Sequence, residues 1–206
     1  LHALQFARER LQGAAFGSRE HKQAPILQHP DVRRNLLWMK AHTEGIRGLI
    51  LYTVYAMDRM TTSKSEEEKR AWHDVVEVLT PVCKAYGTEK GFDVTTRAIQ
   101  VHGGYGYCTE YFVEQFSRDS KIATIFEGTN GIQALDLFGR KVQMRGGEAL
   151  QTVLDKMKAV IQEGEAVSDL SAYTREVQDA VSALEDVTRY LLDQVASGDA
   201  YLAYSW

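Results

Sequence analysis

The stretch VRRNLLWMKAHTEGIRGLILYTVYAMDRM, from Val32 to Met60, settles the fold class. Within it Val32, Leu36, Met39, Thr43, Ile46, Ile50, Thr53, Met57 and Met60 step by alternating fours and threes. That spacing keeps one stripe of a helix facing a partner, whereas a half-buried strand would alternate every second residue. Pro30 lies just upstream and suits a first helical turn, where a missing N–H costs nothing.

The polar run Thr61 to Glu68 ends this seam, and Ser65 with Glu68 has the spacing of a capping box for a second helix. That helix carries Ala71, Val75, Val78, Val82 and Ala85 on one face and runs toward His102, with Pro81 expected to kink it and Gly87 and Gly91 to weaken it. Gly103 to Tyr111 reads as a loop and Tyr111 to Ser117 as a short helix. Asn130 to Met144 reads as another helix, with Thr129 available as its N-cap. Arg145-Gly146-Gly147 forms a hinge before two amphipathic stretches. One is marked by Leu150, Val153, Leu154, Met157 and Ile161, the other by Leu170, Tyr173, Val177, Val181, Leu184, Leu191 and Val195. Upstream, Leu4, Ala7, Leu11 and Ala14 recur at helical spacing. The expectation is an all-α chain: an antiparallel four-helix-bundle-type domain over 1–145, and two additional C-terminal helices in 146–206.

Composition narrows the function. The 206 residues are 44% hydrophobic, enough for a real core, and the net charge of −4 comes with no dense basic face for nucleic acid. No apolar run approaches the ~18–20 residues that cross a bilayer. Cys83 and Cys108 form no CxxC pair, which points to a reducing, cytoplasmic compartment (or the mitochondrial matrix in a eukaryote). The histidines show no metal-ligand spacing, so no metal is expected. The chain opens as though already inside a helix and closes on the apolar Ala200 to Trp206, so a piece of a longer polypeptide is expected.

Two motifs bear on chemistry. Gly103-Gly104-Tyr105-Gly106 puts three glycines into four residues, more than a helix C-cap needs, and lets backbone approach an anion such as a phosphate. No strand precedes it, so it is not the dinucleotide fingerprint. Glu127 follows the apolar Ile122, Ala123, Ile125 and Phe126 and precedes Gly128. It reads either as a complement to a helix dipole or as a desolvated carboxylate able to take a proton from carbon. Arg118-Asp119 reads as a structural ion pair or bundle-end clamp, and Arg8, Arg10 and Arg19, which could face a phosphate, read as solvated surface charge on sequence grounds alone. Tyr105, Tyr107, Tyr111, Phe112 and Phe116 could pack in a core or against a flat ligand.

The pieces IQVHGGYGY, TEY, RD-KI and IFEGTNGIQ, with ARERLQG and ILQHPDVRR upstream, resemble the C-terminal helical domain of the acyl-CoA dehydrogenase family over about residues 1–145. The EGTNGIQA-DL-GRKV version, with its trailing helical pair, resembles the long subgroup that acts on acyl-CoA and methylmercaptopropionyl-CoA thioesters. The resemblance implies an FAD-dependent enzyme that desaturates an acyl thioester between its α and β carbons, with Glu127 as the α-proton base. It also implies flavin contacts from Thr129 and Asn130, and contacts to a neighbouring subunit's cofactor from Gln100, Gly103, Gly104 and Arg10. Gly13 stands where many members have phenylalanine. An acyl-CoA substrate, an electron-transfer flavoprotein or similar acceptor, and a homodimer or homotetramer are implied as partners. Two other readings remain: an inactive helical dimerisation and cofactor-contact module, and a relative of the acyl-CoA or nitroalkane oxidases, the latter expected to carry aspartate in place of Glu127.

Overall fold

The structure, a computed structural model, describes residues 1–19 and 22–204. Ser205 and Trp206 of the closing apolar stretch lie outside the described residues. The helical expectation holds: among the described residues there is no strand, and β pairing is confined to one isolated bridge between Leu11 and Pro25. The chain divides into two units, Leu1–Ala56 with Leu79–Ala134, and Met57–Val78 with Leu135–Trp206.

In the first unit α1 spans His2–Glu9 and buries Ala3 and Ala7, one turn apart. It stops short of the expected Ala14. Leu11 leaves the helix for its bridge to Pro25, and Gly13 turns the chain at φ +67°, a conformation closed to most side chains. Helix α2 (Pro30–Thr62) and helix α3 (Glu66–His102) carry the seam. Their cross-contacts run antiparallel: Asn35 Oδ1 accepts from Arg97, Ile46 faces Gly87, and Thr53 Oγ1 lies 3.2 Å from Cys83 Sγ. Asn35 is buried yet satisfied, because its Nδ2 also donates to the Asp31 carbonyl. The Arg97 guanidinium lies 4.0 Å over the Trp38 ring, a cation–π contact beside the same hydrogen bond. The core here joins Ala3, Ala7, Ile26 and Val101, with Phe6, Leu36, Met39 and Ala98 packed on it.

Helix α3 stays helical through Pro81, which is fully buried, so the proline removes a hydrogen bond without ending the helix. Ser65 caps α3 by accepting from the Glu68 N–H at 3.1 Å. The reciprocal half of the box is not made, since the Glu68 carboxylate pairs with Arg59. After a 3₁₀ turn at Gly103–Tyr107, helix α4 spans Val113–Lys121, two residues later than Tyr111–Ser117 suggested, because Cys108 to Tyr111 is spent on a turn. Helix α5 (Asn130–Asp136) is shorter than expected and passes into a π-helical turn, Leu137–Lys141.

In the second unit the Arg145 hinge is present, with φ of +49°, +70° and +100° at Arg145, Gly146 and Gly147. It is pinned from α3. Asp74, 3% exposed, accepts from the Arg145 guanidinium and from Thr152 Oγ1, and Glu77 pairs with Lys141. Helices α6 (Glu148–Glu165) and α7 (Ser171–Ala196) pack through Leu154, Ile161 and Val181, and α8 (Ala200–Tyr204) follows. Gly164 allows their close approach, since a Cβ there would lie 2.6 Å from Thr174 Cγ2. The expected face of α7 is partly wrong. Thr174 and Val181 are buried, whereas Tyr173, Val177 and Leu184 are exposed, because a second apolar stripe runs beside the packed one.

Candidate functional site

Four of the expected site residues meet. Arg10, Gln100, Gly103 and Gly104 line a cleft of about 720 Å³ within the first unit, together with Phe6, Gln12, His29, His102, Tyr105 and Cys108. Arg10 is the residue at which α1 ends, and its guanidinium lies 5.0 Å over the Tyr105 ring. Packing of α1 on the end of α3 through Ala7, Val101 and Phe6 brings residues ninety positions apart to one wall.

The chain's own backbone and packing account for two of the three glycines. Gly103 has φ +60° and ends α3 as a left-handed C-cap. Gly106 is buried, and a Cβ there would sit 2.6 Å from the Ile99 carbonyl oxygen. Gly104 has no positive φ, and a Cβ there would meet nothing within 4 Å, so the chain's own packing gives no reason for it. Gly103 lies at the carbonyl end of α3, where the helix dipole is negative. Positive charge for an anion therefore comes from Arg10, and the exposed glycines supply room for close approach.

Two histidines in the cleft have their tautomers set by carbonyls, which can only accept. His102 Nδ1–H donates to the Ala98 carbonyl at 2.7 Å, and His29 Nε2–H donates to the Gln12 carbonyl at 2.7 Å. His102 is 5% exposed, stacks on Phe6 with centroids 4.3 Å apart, and meets Tyr111 edge-on.

Glu127, Thr129 and Asn130 are not among the walls of this cleft. They form the elbow that starts α5. Glu127 has φ +54° and Gly128 φ +86°, consecutive left-handed residues. The Glu127 carbonyl accepts from Gln133 Nε2 at 3.3 Å, and Thr129 Oγ1 caps the helix by accepting from the Ile132 N–H at 3.3 Å. Asn130 is anchored to α3: its Oδ1 accepts from Lys84 at 3.0 Å and Thr88 at 3.2 Å, and its Nδ2 donates to the Ala85 carbonyl at 3.2 Å. The Glu127 side chain is exposed, so the dry surroundings expected for it are not supplied by this chain.

Other expectations change. Arg118 and Asp119 do not pair; Asp119 accepts from Gln115 one turn back at 2.7 Å. Of the aromatic set only Tyr111 is half-buried, while Tyr107 and Phe112 are 84% and 72% exposed, so core packing does not explain them. Both cysteines are free. Among the described residues no cluster of His, Cys, Asp and Glu could hold a metal ion, and no helix is long and apolar enough to cross a membrane. His102 belongs to the glycine motif in sequence, but only its burial and stacking single it out. Lys84 and Thr88 carry no sequence signal.

Residues 2–142 match the family model described as acyl-CoA dehydrogenase, C-terminal domain. The chain belongs to that family. Within it, the chain is 41% identical over 164 residues to 3-methylmercaptopropionyl-CoA dehydrogenase of Ruegeria pomeroyi, covering 80% of this chain and 27% of the relative. The chain spans about a quarter of the length of the curated relatives it matches. An acyl-CoA dehydrogenase from Bacillus anthracis, solved in complex with FAD, is 28% identical and superposes at a TM-score of 0.57 over 90% of this chain and 35% of that one. Caenorhabditis elegans ACDH-11, in complex with C11-CoA, superposes at a TM-score of 0.78 over 95% of this chain and 31% of that one; at 19% identity it attests the fold alone.

Proposed function

We propose that the chain is the C-terminal helical part of an FAD-dependent acyl-CoA dehydrogenase in which Glu127 removes the α-proton of an acyl-CoA thioester. The observation that carries this reading is the backbone of Glu127. A carboxylate is held at φ +54°, in a region that disfavours any side chain, immediately before a left-handed glycine. Such a conformation costs on the order of 1–3 kcal/mol, and strain of this kind clusters at functional sites.

The residues present fit the cofactor. The cleft offers a guanidinium at Arg10, an exposed amide at Gln100, and the open backbone of Gly103 and Gly104, where no Cβ-sized contact intrudes. These would hold the diphosphate of a neighbouring subunit's cofactor, and Thr129 and Asn130 would contact the flavin near the base. Bound there, the flavin supplies a two-electron acceptor for hydride from the β carbon. Glu127 takes the α-proton onto a carboxylate oxygen, and Thr129 and Asn130 fix its elbow through the cap and the anchor on α3.

A thioester α-carbon is far too weak an acid for a solvated carboxylate, so desolvation of Glu127 has to accompany assembly with protein outside this chain. The relatives' greater length supports a polypeptide that continues beyond these residues, with 1–145 as the family domain and 146–206 the start of an additional helical segment. An electron-transfer flavoprotein or similar acceptor, a homodimer or homotetramer, and a cytoplasmic or matrix location belong to the same reading. The exposure of Glu127 equally favours the second reading, that the 206 residues by themselves act only as a helical contact module.

The test is anaerobic bleaching of the flavin band by a saturated acyl-CoA in the full-length polypeptide. Glu127→Gln should keep the flavin bound and slow bleaching by several orders of magnitude; bleaching at the unmutated rate would remove Glu127 from the mechanism.

A further inference from the structure

The elbow that carries Glu127 has few holds on the rest of the first unit. Ile125 and Phe126 before it and Ile132 after it are 52%, 48% and 52% exposed, so apolar packing within this chain does little to fix it. Its own hydrogen bonds are local: Gln133 Nε2 to the Glu127 carbonyl, the Ile132 N–H to Thr129 Oγ1, and the Gln133 N–H to the Thr129 carbonyl. Among the described residues, every hydrogen bond from the elbow or the first turn of α5 to another helix runs through the Asn130 side chain to α3. A left-handed carboxylate persists only where its surroundings over-determine it, so this clamp has to withstand the strain at φ +54°.

We infer that Lys84 is a positioning residue of this site: its ammonium holds Asn130 on α3, and through Asn130 the strained backbone that presents the Glu127 carboxylate. The bonds of the clamp are unequal. Thr88 has one hydroxyl hydrogen, and the Lys84 carbonyl at 2.7 Å is a closer acceptor for it than Asn130 Oδ1 at 3.2 Å. The bond from Asn130 Nδ2 to the Ala85 carbonyl is neutral and 3.2 Å long. The Lys84 bond, at 3.0 Å, is the shortest that Asn130 makes across to α3 and has the charged donor. Charge-assisted bonds are roughly twice as strong as neutral ones. No carboxylate among the described residues pairs with the Lys84 ammonium, so nothing competes with Asn130 for it. Lys84 acts through Asn130 and has no part in the proton transfer itself. This inference rests on the reading of Glu127 as the base given above.

The experiment is the anaerobic bleaching assay in the full-length polypeptide with Lys84→Met, which keeps the apolar stem and removes the donor. The rate at saturating acyl-CoA should fall roughly ten- to a hundredfold, while the half-saturating concentration stays within about twofold. In an Asn130→Ala background Lys84→Met should cost nothing more, because the link it breaks is already gone. In the 206-residue chain, NMR should show the short intraresidue amide–Hα distance of a positive φ at Glu127, and Lys84→Met should abolish it. Should Lys84→Met fail to fold, Lys84→Gln, polar but shorter and uncharged, goes through the same measurements. An unchanged saturating rate, a loss confined to the half-saturating concentration, additive losses in the double variant, or a Glu127 backbone signal that survives Lys84→Met would overturn the role of Lys84 and leave Glu127 as the base. Bleaching of Glu127→Gln at the unmutated rate would instead overturn the reading of the base, and the inference with it.

Discussion

Glu127 and the glycines around it illustrate what single residues cost and why. At φ +54° the Glu127 backbone is strained for any side chain, so Glu127→Gly should raise the melting temperature by an amount equivalent to about 1 kcal/mol or less, the glycine's extra unfolded-state entropy offsetting part of the relief. A drop in melting temperature would show that the carboxylate stabilises the elbow and is not held there against a cost. Gly104 and Gly106 form a contrasting pair. Gly106→Ala places a Cβ 2.6 Å from a carbonyl oxygen and should destabilise by roughly 2 kcal/mol or more, whereas Gly104→Ala meets open space and should leave stability within about 0.5 kcal/mol. Comparable urea midpoints for the two variants would refute the distinction between a packing glycine and one kept for a ligand.

Elements here are set by local rules and then adjusted by partners. The seam from Val32 to Met60 does form one helix, and Thr53 on it is buried, but Ile50 and Met57 of the same seam are 44% and 48% exposed, and Leu51, Val54 and Tyr55 beside it are exposed as well. Periodicity identifies the helix; it does not say how many of its faces this chain covers. Helix α3 is tied to the segment after α5 by Glu77 and Lys141. The Lys141 ammonium, by its hydrogen bond, holds the Glu77 carboxyl below its ordinary value despite the opposing effect of burial. A folded value lower than the unfolded one means that the pair contributes stability above the ordinary carboxylate range and loses it as pH falls through the lowered value. The melting temperatures of the wild-type chain and Glu77→Gln should therefore differ at neutral pH and converge in acid, as the pH falls below the ordinary carboxylate range. A gap that persists undiminished in acid would assign the effect to something other than this ion pair.

For the molecule as a whole, the two halves of the candidate chemistry sit on the same unit, the cleft between α1 and the end of α3 and the base on the elbow before α5. The chain is a quarter of its relatives' length, and its exposed Glu127 lacks the dry surroundings that proton abstraction from carbon requires. In D₂O the 206-residue chain should not accelerate exchange of the α-protons of an acyl-CoA thioester, as followed by proton NMR, while the full-length polypeptide should. Exchange by the short chain at the full-length rate would show that Glu127 needs no covering protein.

Helical type, the hinge at Arg145, the cap at Thr129 and the family were all legible in the residues alone, because periods of three and four, turn chemistry and contiguous motifs are local properties of a chain. Other features became visible only in the folded chain: Arg10 joining Gln100, Gly103 and Gly104, Lys84 and Thr88 holding Asn130, and Asp74 reaching Arg145. Each of the long-range pairings depends on which helix faces come together across forty to ninety residues. That choice follows from the packing of whole side-chain surfaces, on which no single spacing reports.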